Sequence, residues 1–261
     1  MKWSDEYKVH YYYTDYNNIL KPSYIGRYMQ ETAWNALKNR GPTPEYLKSN
    51  NIAFILSKIS FRYYSVIRED DIIKAETWAN PPKTVIFPRN YRIYNMNRGG
   101  EIAAEAVSAW ALLDMKEKNI LKPAGFKDVF VAYDDEELTF GVQKRFNMPQ
   151  NMAKFSEYNV RCSDIDSNMH MNNAAYIDLI CDNLYDYNGG EKLTAELNIN
   201  KRIISLDLNY NTEAVFSEAI EISKGVIISE NGMEEHYISG CIKSGGQNCF
   251  ESKVILSNKL S

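Results

Sequence analysis

"YNVRCSDIDSNMHMNNAAYIDLICDNLYDYNGG" (Tyr158–Gly190) decides how this chain folds, because "YYYTDYNNILKPSYIGRYMQETAWNALKNRG" (Tyr11–Gly41) follows the same plan. The first begins with a strand-like aromatic run, Tyr11–Tyr13, and each stretch passes through a turn rich in Asp and Asn and enters a helix. In the first, Ile25, Tyr28, Met29, Ala33, Ala36 and Leu37 recur near helical spacing and predict one apolar face. Pro22 and Ser23 suit the start of that helix, and Gly41 with Pro42 suits its end. In the second, Ile177, Ile180, Cys181 and Leu184 make the stripe, and Gly189–Gly190 is the predicted stop.

Strand-like segments follow each helix. "FILSKISFRYYSV", "DDIIKAETWA", "VIFPRNYRIYNM" and "IAAEAVSAWALLD" belong to the first half, with a turn at "NRGG" (Asn97–Gly100). "RIISLDLNYN", "EAIEISKGVIIS", "EEHYISGCIKS" and "CFESKVILS" belong to the second, with turns at "ENG" (Glu230–Gly232) and "SGGQN" (Ser244–Asn248). Pairing Tyr24 with Tyr176 and Tyr64 with Tyr210 sets the copies roughly 150 residues apart. The expected fold class is α+β, two units each with a long central helix wrapped by an antiparallel sheet. The expected division is 1–135, a connecting segment 136–157, and 158–261.

Composition narrows the functional classes. With 44% hydrophobic and 25% charged residues, the chain is a folded globular protein. A net charge of −4 argues against a broad nucleic-acid footprint. No apolar run reaches the ~18 residues of a membrane span. "MKWSDEYKVHYYY" lacks the apolar core of a secretory signal. Cys162, Cys181, Cys241 and Cys249 form no CxxC pair and have no His at metal-ligand spacing. The expectation is a reduced, cytoplasmic protein without a metal.

The motif "SDIDSNMHMNNAAYID" is the most specific feature, and with "LKPSYIGRYMQETAWN" and "PRNYRIYNMNRGGEIAAEAVSAWALLD" it resembles the acyl-acyl carrier protein thioesterase family. The resemblance runs from about Tyr11 to Leu256. It implies a tandem hot-dog fold, hydrolysis of fatty acyl-acyl carrier protein thioesters, no cofactor, and acyl carrier protein as partner. It carries the family's catalytic residues onto Asp166, Asn168 and His170, and onto Glu213 on the strand after the helix. Many plant members have a cysteine immediately after that glutamate, and here the position is Ala214. The resemblance thus implies chemistry resting on carboxylates and water.

A thioester needs an activated water or nucleophile, a polarised carbonyl and exclusion of solvent, since its thiolate leaves readily. Asp166 or Glu213 can serve as base or nucleophile. His170 can orient a carboxylate or hydrogen-bond the carbonyl, and Asn168 can position water. Backbone N–H groups at the helix start are candidates for an oxyanion site. Asp and Asn at this density also suit turns and helix caps without any catalysis.

The equivalent loop of the first copy, "TDYNNILKPSYI", has Asp15, Asn17 and Asn18 but no histidine, and the first copy meets Glu213 with Val66 or Ile67. Its helix is free to line an acyl pocket, for which Met29, Trp34, Phe54 and Trp78 are candidates, with Asn172 and Asn173 as further substrate contacts. Lys83, Arg89, Arg92, Arg98, Lys201 and Arg202 are candidates for docking an acidic carrier. An acyl-CoA thioesterase and a non-catalytic acyl-thioester binding protein are the alternatives; a dehydratase fits the long motif less well. Monomer and homodimer both suit a tandem fold.

Overall fold

In the computed structural model the described residues are 1–126, 133–142, 146–184, 201–229 and 232–257. They form two compact units, Met1–Val142 and Gln143–Ser261. Each is a hot dog, one main helix against an antiparallel sheet.

The first unit begins with β1 (Trp3–Lys8) and continues through α1 (Pro22–Arg40), α2 (Pro44–Ser49), β2 (Ile52–Tyr63), β3 (Ile72–Ala79), β4 (Ile86–Asn95), β5 (Glu101–Asp114) and β6 (Ile120–Leu121). Its sheet order is β1-β3-β4-β5-β2, with β6 on β5. Pro22 opens α1 at a position where no N–H is needed, and the Gly41 N–H closes it on the Leu37 carbonyl. The buried face is Ser23, Ile25, Tyr28, Met29, Thr32 and Ala36. Thr32 enters the core because its hydroxyl pairs with that of Tyr7 on β1, 3.0 Å away; Ala33 and Leu37 are only half-buried. The aromatic run Tyr11–Tyr13, expected to be strand-like, is a short 3-10 turn. The strand lies earlier, where Trp3–Lys8 pairs along β3.

The second unit contains β7 (Ala153–Asn159), α3 (Asn173–Asp182), β8 (Arg202–Tyr210), β9 (Ala219–Ile228), β10 (Glu234–Ile242) and β11 (Asn248–Ser257), in the sheet order β8-β11-β10-β9-β7. β7 runs through part of the stretch 136–157. Six of the ten residues of α3, Ala174 to Ile177 with Leu179 and Ile180, are buried. The helix ends at Asn183, whose amide donates to the Leu179 carbonyl and whose oxygen accepts from the Ser156 hydroxyl. The expected stop at Gly189–Gly190 lies outside the described residues, as do Glu230 and Asn231 of the "ENG" turn. No helix among the described residues is long and apolar enough to cross a membrane.

Hydrogen bonds fix the register between the copies. Asp15 N–H donates to the Ile19 carbonyl as Asp166 N–H does to that of His170, and Leu20 N–H meets the Ile67 carbonyl as Met171 N–H meets that of Ala214. Asn18 and Met169 both take a left-handed φ, 58° and 68°. Asp15, Asn17, Ile19 and Lys21 therefore correspond to Asp166, Asn168, His170 and Asn172. Tyr176 then matches Ile25, not Tyr24, and Tyr210 matches Tyr63, not Tyr64. Matching by aromatic identity misplaces both pairs by one residue.

Candidate active site

Two loops of the second unit build the site. The first, Ile165–Met171, is closed by a bridge between its ends, and its main chain is held by bonds from Asp166 N–H to the His170 carbonyl (3.1 Å) and from Met169 N–H to the Asp166 carbonyl (3.0 Å). Asp164 anchors the preceding turn, its Oδ2 accepting from the Tyr158 hydroxyl and the Arg161 N–H, each at 2.7 Å. The second loop follows β8. Glu213 is in this loop and not on the strand expected for it, because the Asn211 and Thr212 N–H groups converge on the Cys249 carbonyl and the ladder ends. The two loops are joined where the Met171 N–H donates to the Ala214 carbonyl at 2.8 Å.

That junction brings His170 Nε2 to 3.9 Å from Glu213 Oε1. The His170 side chain is 24% exposed and that of Glu213 60%. His170 Nδ1 faces the Met171 carbonyl at 3.4 Å. A carbonyl only accepts, so a neutral ring with its proton on Nδ1 would donate there and leave Nε2 as acceptor. Once protonated, Nε2 becomes a donor facing a carboxylate. Such a pair can take a proton from water and stabilise the imidazolium that results.

Asp166 is committed differently. Its Oδ1 accepts from the Asn168 N–H (2.8 Å) and its Oδ2 from the Asn172 amide (3.2 Å). Asp15 does the same turn-holding work in the first unit, accepting from the Asn17 and Ile19 N–H groups at 2.8 and 3.0 Å. The turn aspartate and asparagine therefore recur in both copies, while the imidazole and the glutamate do not: Ile19 and Val66 stand in their places. Asn168 is exposed, and its side-chain amide has no partner among the described residues.

Asn172 is the N-cap of α3, its Oδ1 accepting from the Ala174 N–H at 2.9 Å, while the Ala175 N–H bonds the Asn172 carbonyl. Those two N–H groups, expected to be available to an oxyanion, are thus occupied. Asn172→Ala is expected to cost about 1 kcal/mol of stability through the lost cap, read by denaturant unfolding. Asn173 opens the helix, and its carbonyl accepts from the Tyr210 hydroxyl at 3.0 Å. Tyr176 Oη accepts the Ala214 N–H at 3.2 Å. This tether between helix and loop escaped the sequence reading, because pairing Tyr176 with Tyr24 hid its contrast with Ile25.

The four acyl-pocket candidates occupy different settings. Met29 is buried on α1, whereas Trp34 of the same helix is 44% exposed beneath Lys38. Phe54 packs edge-on to Phe87 in a cluster with Leu47, Ile52 and Leu112. Trp78 is buried and donates to the Glu136 carbonyl at 2.7 Å. The candidate docking cations are largely engaged: Lys83 by Glu137, Arg92 by Glu105 and Glu136, Arg98 by Glu101, Lys201 by Glu234. Arg89 Nη1 donates to the Thr77 hydroxyl, and Arg202 is half-buried on β8.

Comparison with known proteins agrees with this architecture. The acyl-ACP thioesterase N-terminal domain matches residues 1–124 and the C-terminal domain of the same family matches 148–253. A chloroplastic acyl-[acyl-carrier-protein] hydrolase of Cuphea viscosissima is 23% identical over 80% of this chain and 51% of its own, so the chain spans about half the length of that relative. A chloroplastic palmitoyl-acyl carrier protein thioesterase of Arabidopsis thaliana is 24% identical over 59% of this chain and 40% of its own. In fold, the chain is similar to an acyl-ACP thioesterase from Bacteroides thetaiotaomicron (TM-score 0.83, 21% identity, 98% of both chains) and to a 12:0-ACP thioesterase from Umbellularia californica (TM-score 0.81, 14% identity, 99% and 94%). Two domain matches in tandem cover most of the sequence, and the chain belongs to the acyl-ACP thioesterase family.

Proposed function

We propose that this chain hydrolyses the thioester of fatty acyl-acyl carrier protein, releasing the free fatty acid, with His170 and Glu213 as the acid–base pair. The observation that carries the reading is the pair itself, set on two joined loops of the second unit and replaced by Ile19 and Val66 in an otherwise matching turn of the first. His170 Nε2 takes a proton from water as the water adds to the thioester carbonyl, and Glu213 stabilises the imidazolium. The Asn168 amide donates to the carbonyl oxygen. The proton then passes from Nε2 to the departing thiolate, which with a free-thiol pKa of about 8.5 needs little further help. Asp166 holds the loop. Four free cysteines are consistent with a reducing, cytoplasmic setting.

A cysteine nucleophile is not part of this reading. Ala214 follows Glu213, and burial pushes the Cys249 thiol up to about 12 while it lies against the Gly240 carbonyl. Alkylation with iodoacetamide near neutral pH is therefore expected to label the exposed Cys162 and leave turnover within about twofold. Loss of activity in step with Cys249 labelling would reverse that conclusion.

The alternative substrate for the same acid–base pair is a CoA thioester. Thiol release from carrier-protein thioesters and matched CoA thioesters, across short to long acyl chains, decides between the two. Turnover of the carrier-protein substrate supports the proposal. Turnover of CoA thioesters alone transfers it to the second reading, and binding without hydrolysis removes both.

A further inference from the structure

We propose that Tyr176 is a positioning residue that holds Glu213 against His170 by tethering the neighbouring Ala214 N–H to the first turn of α3. The inference rests on the His170–Glu213 reading and extends it to a residue that touches neither side chain.

Ala214 is fully buried, and both of its main-chain groups are taken: its N–H donates to Tyr176 Oη and its carbonyl accepts from the Met171 N–H. One bond ties the Glu213 loop to the helix, the other to the His170 loop. Glu213 is the residue just before this doubly bonded point, and its own side chain is largely in solvent. Its direction is therefore set by the backbone at Ala214 and not by packing around the carboxylate.

Tyr176 is suited to serve as a fixed point. It is 3% exposed, and its ring meets Tyr210 and Phe250 in edge-on contacts, with centroids 5.4 and 5.7 Å apart. Tyr210 in turn donates to the Asn173 carbonyl, which joins the end of β8 to the helix start. Burial pushes the Tyr176 phenol well above its usual range, so it stays neutral and its oxygen keeps accepting across the working pH range.

The first unit provides the contrast. It keeps the junction bond from the Leu20 N–H to the Ile67 carbonyl. At the place of Tyr176, however, it has Ile25, which offers no oxygen to the loop. The extra tether thus occurs in the unit that carries the imidazole and the carboxylate, and its counterpart is missing where Ile19 and Val66 have nothing to align.

Tyr176→Phe in the full chain keeps the ring and removes the acceptor. Amide exchange at Ala214, followed by NMR, is expected to quicken at least tenfold while that of Ile180 in the helix core is unchanged. Turnover of acyl-carrier-protein thioester is expected to fall about tenfold in kcat with KM within twofold, since a small misplacement of a reacting group acts on the transition state. A third measurement is independent of turnover. The change in His170 ring shifts caused by Glu213→Gln should shrink when Tyr176→Phe is also present. Unchanged Ala214 exchange would overturn the tether. Faster exchange with full kcat and undiminished His170–Glu213 coupling would leave Tyr176 an ordinary core residue. A wild-type chain that hydrolyses no acyl thioester would remove the functional reading, and the exchange and coupling measurements would still decide the positioning role.

Discussion

His170→Gln is expected to lower kcat for acyl-carrier-protein thioester by about 10²–10⁴-fold, the range that one positioned acid–base group contributes. The loop around His170 is closed by main-chain bonds, Asp166 N–H to the His170 carbonyl and Met171 N–H to the Ala214 carbonyl, and these do not depend on the imidazole. Glutamine keeps an amide able to donate to the Met171 carbonyl but cannot accept and return a proton at neutral pH. The loss should therefore fall on kcat with KM nearly unchanged, and the melting temperature should stay within a few degrees of wild type. Single-turnover hydrolysis alongside a thermal melt reads both quantities. Turnover within about threefold of wild type would remove His170 from the chemistry and leave it as a turn residue.

The element order was legible because its signals are local. Pro22 and Gly41 mark α1 at both ends, and each strand after the helices carries its own apolar pattern and turn residues. Errors arose where tertiary bonds override local pattern. The Tyr11–Tyr13 run reads as strand, yet the Thr14 N–H turns back to the Tyr11 carbonyl and the rings cluster on one another. Trp34, named as an acyl-pocket candidate by residue type, lies on the outward side of α1 under Lys38. The site divides in the same way. His170 stands out by its rarity in the chain, and the motif brought Asp166, Asn168 and Glu213 with it. No sequence separates an aspartate that holds a turn from one that moves a proton, since both want the same side chain beside the same asparagines. The hydrogen bonds bear on the distinction, because Asp15 makes turn bonds in the first copy, where Ile19 stands in the place of His170.

That division gives the second large effect its form. Glu213→Gln is expected to lower kcat at least about 10²-fold, because the imidazolium loses its facing carboxylate. It should change stability by no more than about 0.5 kcal/mol, because the side chain is 60% exposed and lies in a loop whose anchor is the backbone of Ala214. Asp166→Ala should behave differently. Removing an acceptor that satisfies the Asn168 N–H and the Asn172 amide is expected to cost about 1–3 kcal/mol, with turnover falling as the loop loosens. Asp15→Ala in the first unit loses the matching bond from the Asn17 N–H and a second from the Ile19 N–H, and should show a similar stability cost with kcat unchanged. Denaturant unfolding and steady-state kinetics on the three variants separate the roles. If Asp166→Ala abolished turnover while its unfolding midpoint matched wild type, Asp166 would be the proton acceptor. Glu213, exposed and 3.9 Å from the ring, would then be a bystander.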